Sequence, residues 1–305
     1  MVSLTAIVPA TNDPPTLTTC TDAIQVAEDR PEQLIVVRDA DRPGPAAARN
    51  EGARGALGDV LVFVDADIEI HPDAFLRIRR AFAADPELGA LFGSYDDRPR
   101  AQGLVSVFRN LLHHHVHQSS AGPATTFWGG IGAVRRDAFE RVGGFDQQRF
   151  ARPSVEDIEL GMRLTAAGAR IVLDPTIQGT HLKRWTLAQM VRTDLFQRGI
   201  PWVELLVESR NGSSALNLGW RHRLSTLAVL IGFGGLAARR PLVAGASLGA
   251  LVLLNHSFYA FLARQRGGPE AVAGVGLHSL HHLTGAVSVP AALLRHGLRR
   301  LGRGS

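Results

Sequence analysis

The chain has 305 residues, 45% of them apolar, with a formal net charge of +5, which is enough hydrophobic material for one large domain plus an appendage and excludes a mainly disordered protein. The charge is uneven: residues 1–220 carry 23 Lys and Arg against 27 Asp and Glu, whereas residues 221–305 carry 10 against Glu270 alone. A basic tail interleaved with long apolar runs suits an anionic membrane surface and speaks against nucleic acid as a partner.

The first element is Leu4 to Val8, which follows Met1 with no basic stretch or long apolar run and so reads as a strand, not a signal peptide. Leu34 to Val37, Val60 to Val64 and Ala90 to Phe92 are further short apolar runs, each too short for a helix. Between them, Pro45 to Leu57 and Asp73 to Ala84 have helical composition, with Pro45 and Pro72 acceptable at helix starts. Alternation of this kind predicts an α/β fold, Rossmann-like: an open, mostly parallel sheet flanked by helices. Cys20 is the single cysteine and cannot form an internal disulfide, so nothing demands an oxidising compartment.

In such a sheet the ligand crevice lies beyond the carboxyl ends of the strands. The residues there are Asn12 and Asp13 after the first strand, Arg38, Asp39 and Asp41 after the second, and Asp65 and Asp67 after the third. Carboxylates crowded at one rim repel unless a cation or hydrogen-bond donors sit among them, and a divalent Mg or Mn would also bridge a diphosphate. An acidic turn capping the next helix is the alternative reading of Asp65-Ala66-Asp67. Upstream, Gly44-Pro45-Ala46-Ala47-Ala48-Arg49 begins a helix and brings a guanidinium, a pairing that favours phosphate.

The motifs Val8-Pro9-Ala10-Thr11-Asn12-Asp13, Gly44 to Gly52, Asp65-Ala66-Asp67, Trp128-Gly129-Gly130, Val142-Gly143-Gly144-Phe145-Asp146 and Val155-Glu156-Asp157 follow one another in order. Together they resemble the family 2 glycosyltransferases of the GT-A fold over residues 4 to about 190. The resemblance implies that Pro9, Asn12 and Asp39 line the base and ribose pocket, that Arg49 lies near the nucleotide, and that Asp65 and Asp67 hold the nucleotide and its Mg or Mn cation. It further implies that Asp157, in the Glu156-Asp157 pair opening a helix, is the general base of an inverting single displacement. The donor would be a nucleotide-diphosphate sugar with a UDP, GDP or dTDP carrier. His181, in the stretch after the probable strand Arg170 to Leu173, could complete the metal shell. Trp128, Gly129 and Gly130 could shape an acceptor site, since glycine permits close approach and indole stacks on sugars or lipid head groups.

Arg38-Asp39 replaces the acidic pair usual after the second strand, so the assignment of Asp39 depends on register. The Gln-x-x-Arg-Trp motif of processive synthases is not reproduced, since the nearest string is Gln197-Arg198-Gly199-Ile200-Pro201-Trp202. Transfer of a single sugar is therefore expected. A sugar-phosphate nucleotidyltransferase, which should open with a glycine-rich loop, and a non-catalytic nucleotide-sugar-binding or scaffold protein are the alternatives.

His113 and His117 share a helix face, read as a solvated or interface face for want of a third metal ligand. From Leu224 onward, Leu224 to Ala238, Pro241 to Ala263 and Ala271 to Leu294 are apolar, and the second is long enough to span a bilayer, for which about 20 residues suffice. The expected organisation is a catalytic domain over residues 1–220 and apolar, Arg-rich C-terminal membrane helices over 221–305. The catalytic domain would face the cytoplasm at a bacterial-type cytoplasmic membrane, with a lipidic or membrane-presented acceptor. His256, His278, His281 and His282 lie in this tail, either touching a lipid phosphate or bonded between packed helices.

Overall fold

The structure is a computed structural model that describes residues 2–209 and 219–301. In chain order the elements are β1 (Leu4–Pro9), α1 (Leu17–Gln25), β2 (Gln33–Val37), α2 (Pro45–Arg54), β3 (Val60–Val64), β4 (Ile68–Ile70), α3 (Ala74–Ala84) and β5 (Leu88–Tyr95). There follow α4 (Leu104–Gln118), β6 (Gly122–Ala124), β7 (Ile131–Arg135), α5 (Arg136–Arg141), α6 (Glu156–Ala166), β8 (Arg170–His181) and α7 (Leu187–Arg192). A π-helical turn at Thr193–Gly199 leads into α8 (Ile200–Ser209), and α9 (Trp220–Ala237), α10 (Pro241–Leu254), α11 (His256–Arg266) and α12 (Gly268–Leu301) complete the chain.

The chain forms two compact units, residues 1–102 with 113–184, and residues 103–112 with 185–305. The line drawn at residue 220 follows composition and runs inside the second unit. The first unit is built on an eight-stranded sheet in the order β2-β1-β3-β7-β5-β8-β4, with β6 added on β8. The four apolar runs expected as buried strands are β1, β2, β3 and β5, and the probable strand Arg170 to Leu173 opens β8; β3 is buried along its whole length, whereas β2, at the sheet edge, is only half-buried before Val37. The sheet is mixed, however, not mostly parallel: β1 pairs parallel with β2 and β3, whereas β7 runs antiparallel to both β3 and β5, and β4 and β6 run antiparallel to β8. The reversal follows from the Trp128-Gly129-Gly130 segment, which brings the chain to the carboxyl end of β3 and sends β7 back alongside it.

One face of the sheet packs Leu17, Cys20 and Ile24 of α1 and Phe75, Ile78 and Phe82 of α3 into a single apolar cluster with β1 and β3. Phe63, on the opposite face of β3, meets Phe145 at 5.2 Å and Phe139 at 5.6 Å between ring centroids. These two layers fix the carboxyl ends of β1 and β3 as a rigid platform.

The second unit is helical. Its core joins Val107, Phe108 and Leu111 of α4 with Met190, Phe258, Tyr259 and Leu262. Among the described residues no single helix is long and apolar enough to cross a membrane; the run Pro241 to Ala263, long enough for one span though a hairpin with interfacial or re-entrant helices fits the tail about as well, is broken at Asn255 into α10 and α11, bent by 77°. Asn255 Nδ2 donates to Ser225 Oγ at 2.8 Å and to the Leu251 carbonyl at 2.9 Å, so a polar side chain anchors the break. The tail histidines bond within this unit: His281 Nδ1 to Asp194 at 2.9 Å, His278 Nδ1 to the Tyr259 hydroxyl at 2.9 Å, and His282 Nδ1 to the Thr226 hydroxyl at 3.2 Å. Asp194 also pairs with Arg109 at 2.5 Å; burial works to raise its pKa, but His281 and Arg109 outweigh that and hold it below the ordinary carboxylate range.

Candidate active site

The site is built from the carboxyl end of β3, the start of α6, the second turn of α2 and the end of β8. At its centre lies Arg49. Gly44, at φ +101°, turns the chain into Pro45 at the head of α2, and a Cβ there would meet the Ala151 carbonyl oxygen at 2.7 Å, so glycine is required. The helix then points Arg49 inward, where it is only 4% exposed. One guanidinium nitrogen donates to Asp65 Oδ1 at 2.7 Å and the other to Glu156 Oε1 at 3.0 Å. Burial disfavours the charge, but Asp65, Glu156 and Asp157 surround it and hold its pKa above the ordinary value. Arg49, expected near the nucleotide, is therefore an internal cation joining two acidic segments.

Glu156 is fastened further by the Ser154 N–H, which donates to Oε2 at 2.8 Å. Both its oxygens are thus engaged away from solvent. Asp157 is placed differently: its Oδ1 accepts the Ile158 N–H at 2.8 Å and its Oδ2 accepts the Gly129 N–H at 3.1 Å. Burial and the neighbouring Glu156 charge raise its pKa to about 6, against the opposing pull of Arg49 and the two backbone donors. A carboxylate so tuned can take up a proton near neutral pH.

Trp128-Gly129-Gly130 forms the wall beside Asp157. A Cβ at Gly129 would meet the Arg49 guanidinium carbon at 3.2 Å, and one at Gly130 would enter the Trp128 indole at 2.3 Å. Both glycines are therefore dictated by what packs against them. The Gly130 carbonyl accepts the Asp65 N–H at 3.0 Å, which couples this wall to the end of β3.

Asp65 and Asp67 emerge together there, their side chains 32% and 29% exposed. Burial raises the pKa of Asp65, with Arg49 opposing and Asp67 adding to the rise. For Asp67 burial also works upward, but His181 and then Lys183 outweigh it and hold the carboxyl below its usual range. His181 Nε2 lies 3.7 Å from Asp67 Oδ2, and the Leu182 N–H donates to the Asp67 carbonyl at 2.8 Å. The expected set Asp65, Asp67 and His181 is thus split, Asp65 being bound to Arg49 and Asp67 facing His181. Among the described residues no group of three His, Cys, Asp or Glu is placed to hold a metal ion. A carboxylate with an imidazole nonetheless fits a cation that takes most of its ligands from a substrate diphosphate and water, as Mg and Mn do.

Pro9, Asn12 and Asp39 sit at the carboxyl ends of β1 and β2, where Pro9 registers with Val37. Asn12 and Asp39 are exposed, and Arg38 forms an ion pair with Asp13 across the same rim.

An aromatic wall beside His181 was not legible in the sequence. The Tyr95 ring stacks on His181 with centroids 4.2 Å apart and planes 15° from parallel, and it meets Trp128 edge-on at 4.9 Å. His113 and His117 join this wall, at 4.6 Å and 5.3 Å from Trp128, and His117 is buried with Nδ1 on the Gly93 carbonyl at 2.9 Å. Of the two readings of this face, solvated or interface, the packed one fits, with His117 buried and His113 half-buried beside the apolar Leu111, Leu112 and Val116.

Residues 16–143 match the family described as Glycosyl transferase family 2, and residues 111–183 match a second, described as the N-terminal domain of galactosyltransferase. The first segment, which carries Arg49, Asp65, Asp67 and Trp128, is thus similar to family 2 glycosyl transferases. The chain is 30% identical over 142 residues to the O-antigen biosynthesis protein RfbC of Myxococcus xanthus, a match covering 41% of this chain and 11% of that protein. It is 27% identical over 223 residues to the pre-mycofactocin glycosyltransferase of Mycobacterium tuberculosis, covering 69% of this chain and 42% of the relative. The chain therefore spans less than half the length of either protein. Among solved structures, the Pyrobaculum calidifontis mannosyltransferase PcManGT, in complex with GDP-Man and Mn2+, superposes with a TM-score of 0.53 at 20% identity over 94% of this chain and 87% of that one. The likeness establishes a GT-A-like α/β fold.

Proposed function

We propose that the chain is an inverting glycosyltransferase that moves a single sugar from a nucleotide-diphosphate sugar to an acceptor hydroxyl. The observation that carries this reading is the half-buried Asp157, held by the Gly129 N–H with its pKa raised to about 6, beside the Arg49-tied end of β3. Asp157 accepts the proton of the acceptor hydroxyl as its oxygen attacks the anomeric carbon and the bond to the diphosphate oxygen breaks with inversion. Glu156 and Arg49 position the elements that carry Asp157 and Asp65. Asp67 and His181 would hold a Mg or Mn ion, which supplies charge neutralisation for the departing nucleotide diphosphate. Asn12 and Asp39, exposed at the rim, would face the base and ribose.

The acceptor is proposed to be lipidic or presented at a membrane surface: a glycolipid or a hydrophobic metabolite offers the hydroxyl that Asp157 deprotonates, whereas a polyprenyl phosphate would attack through an already ionised oxygen and leave Asp157 a positioning role. Support comes from the basic balance of residues 221–305 and from the large apolar side chains that α9 and α10 expose, among them Ile231, Phe233, Leu242 and Leu253. The test is a panel of nucleotide sugars incubated with purified protein and a membrane-lipid extract, with and without Mn, beside an Asp157→Asn control. Metal-dependent labelling of a lipid by one donor, lost in the control, supports the reading; no labelling and no nucleotide release by a folded, nucleotide-binding protein overturns it.

A further inference from the structure

The second unit contains a cleft whose lining includes none of the residues assigned to the transfer step. It is about 400 Å³ in volume, within the range of small-molecule sites, and is lined by Val229, Phe233 and Leu236 of α9, Leu248 and Leu251 of α10, and Ser279 of α12. It is almost wholly apolar. Only Ser247 and Ser279 bring hydroxyls to it, and Ser279 Oγ already donates to the Val275 carbonyl at 2.9 Å. Because every wall is helical, the cleft offers no free strand edge to a peptide backbone.

Its rim is charged at one end. Leu236 and Pro241 both line the cleft, and Arg239 and Arg240 lie between them in the chain, exposed and without a carboxylate partner among the described residues. The single acid of the tail, Glu270, is paired with Arg266 at 2.9 Å. Around the opening, Phe233, Leu236 and Leu248 remain 49%, 63% and 53% exposed.

We propose that this cleft binds the hydrocarbon chain of an anionic amphiphile, with its head group held by Arg239 and Arg240. An apolar chain gains by leaving water along the lining, and the guanidinium pair complements a carboxylate or phosphate at its end. The proposal stands apart from the transferase reading, since uptake requires neither donor nor turnover.

The test uses the full chain, stripped of lipid, with myristic acid carrying a diazirine in its chain and with the corresponding neutral alcohol. Cross-links mapped by mass spectrometry are expected on α9 and α10 residues of the cleft, with the acid bound more tightly than the alcohol. Gly245→Phe fills the space from a position where an added Cβ meets no atom within 4 Å, so the fold should be unaffected. It is expected to weaken uptake about ten-fold or more, as losing roughly two buried methylenes would. Leu248→Arg, at an exposed wall position, provides a second block. Changing Arg239 and Arg240 to Gln should weaken the acid and leave the alcohol unchanged. Cross-links scattered over the exposed apolar residues, uptake unaffected by both blocking variants, or equal binding of acid and alcohol would overturn the proposal. So would a dimer that Gly245→Phe dissolves with no change in uptake, since the cleft would then be an interface between copies.

Discussion

Asp157 accepts the backbone N–H of Gly129 through Oδ2 at 3.1 Å, so the candidate base is held by the same wall whose next residue, Gly130, binds the Asp65 backbone. Its pKa, raised to about 6 by burial and by Glu156, sets the pH at which the base becomes available. kcat/KM is expected to fall about ten-fold per unit of pH below that value. Arg49 opposes the rise, so Arg49→Gln should move the acid limb to higher pH, whereas Glu156→Gln removes a like charge and should move it lower. Limbs that shift in the same direction in both variants would remove Asp157 from the role.

The same shift has a consequence for stability. A carboxyl whose pKa is higher in the folded than in the unfolded chain costs stability wherever it is ionised in the fold. That cost is relieved as pH falls through about 6 toward the unfolded carboxyl value of 3.8. Asp157→Asn removes the charge but keeps one acceptor oxygen for the two N–H donors, Gly129 and Ile158, so the loss of one hydrogen bond offsets part of the gain. It should stabilise the protein at pH 7 to 8 by on the order of 1–3 kcal/mol while lowering kcat by about 10²–10⁴. Chemical denaturation at pH 7.5 and at pH 4.5 checks the sign, because the gain should shrink at the lower pH.

Arg49 is the neutralising partner of two carboxylates and is nearly inaccessible. Replacing it with Met leaves Glu156, 6% exposed in its side chain, without its charge partner. A loss of about 3–5 kcal/mol is expected. The double variant Arg49→Met with Glu156→Leu should recover part of that stability without recovering activity, since Asp65 is still released. Thermal unfolding of the single and double variants separates the two effects.

The motifs located β1, β3 and the acidic end of β3 because continuous apolar runs buried on both faces are visible in one dimension. Strand β7 was hidden for the opposite reason: Ile131-Gly132-Ala133-Val134 is short and interrupted by glycine, and its antiparallel direction depends on its neighbours. Arg49 was singled out by its motif, yet its pairing with Glu156 spans 107 positions and no local pattern announces it. Tyr95 carried no signal, since a tyrosine at a strand end reads as ordinary core. In the tail, Asn255 inside an apolar run was the sign that Pro241 to Ala263 would not remain one helix.

Asp67 and His181 face each other at 3.7 Å, with Tyr95 stacked on the imidazole. If these two hold the cation, Asp67→Asn and His181→Ala should each raise the Mn concentration needed for half-maximal nucleotide-sugar binding, and Tyr95→Ala should raise it by about ten-fold through loss of the imidazole's orientation. Tyr95→Phe keeps the ring and should restore it. Titration of donor binding against Mn by calorimetry reads this without turnover, and identical curves for all four variants would exclude the pair as the cation's protein ligands.

Gly161 tests how tightly α6 must seat for Asp157 to work. It lies one turn after Asp157 on the same helix, and a Cβ there would stand 2.2 Å from the Phe127 backbone nitrogen and 2.5 Å from the Thr126 carbonyl carbon. Backbone cannot yield as a flexible side chain would, so Gly161→Ala must push α6 away from the strand-end segment that leads into Trp128. The added methyl should cost about 1–3 kcal/mol by overpacking, despite alanine's better helix propensity. Displacement would also lengthen the Asp157 contact with Gly129, so kcat should fall by more than KM changes. Gly168→Ala, on the loop after α6, is the contrast: its φ of +84° strains the new residue, but its Cβ meets no atom within 4 Å. It should cost stability while leaving kcat within about two-fold, because the strain is local and touches no catalytic group. Equal loss of kcat in both variants at matched stability would show that helix placement is not what limits the base.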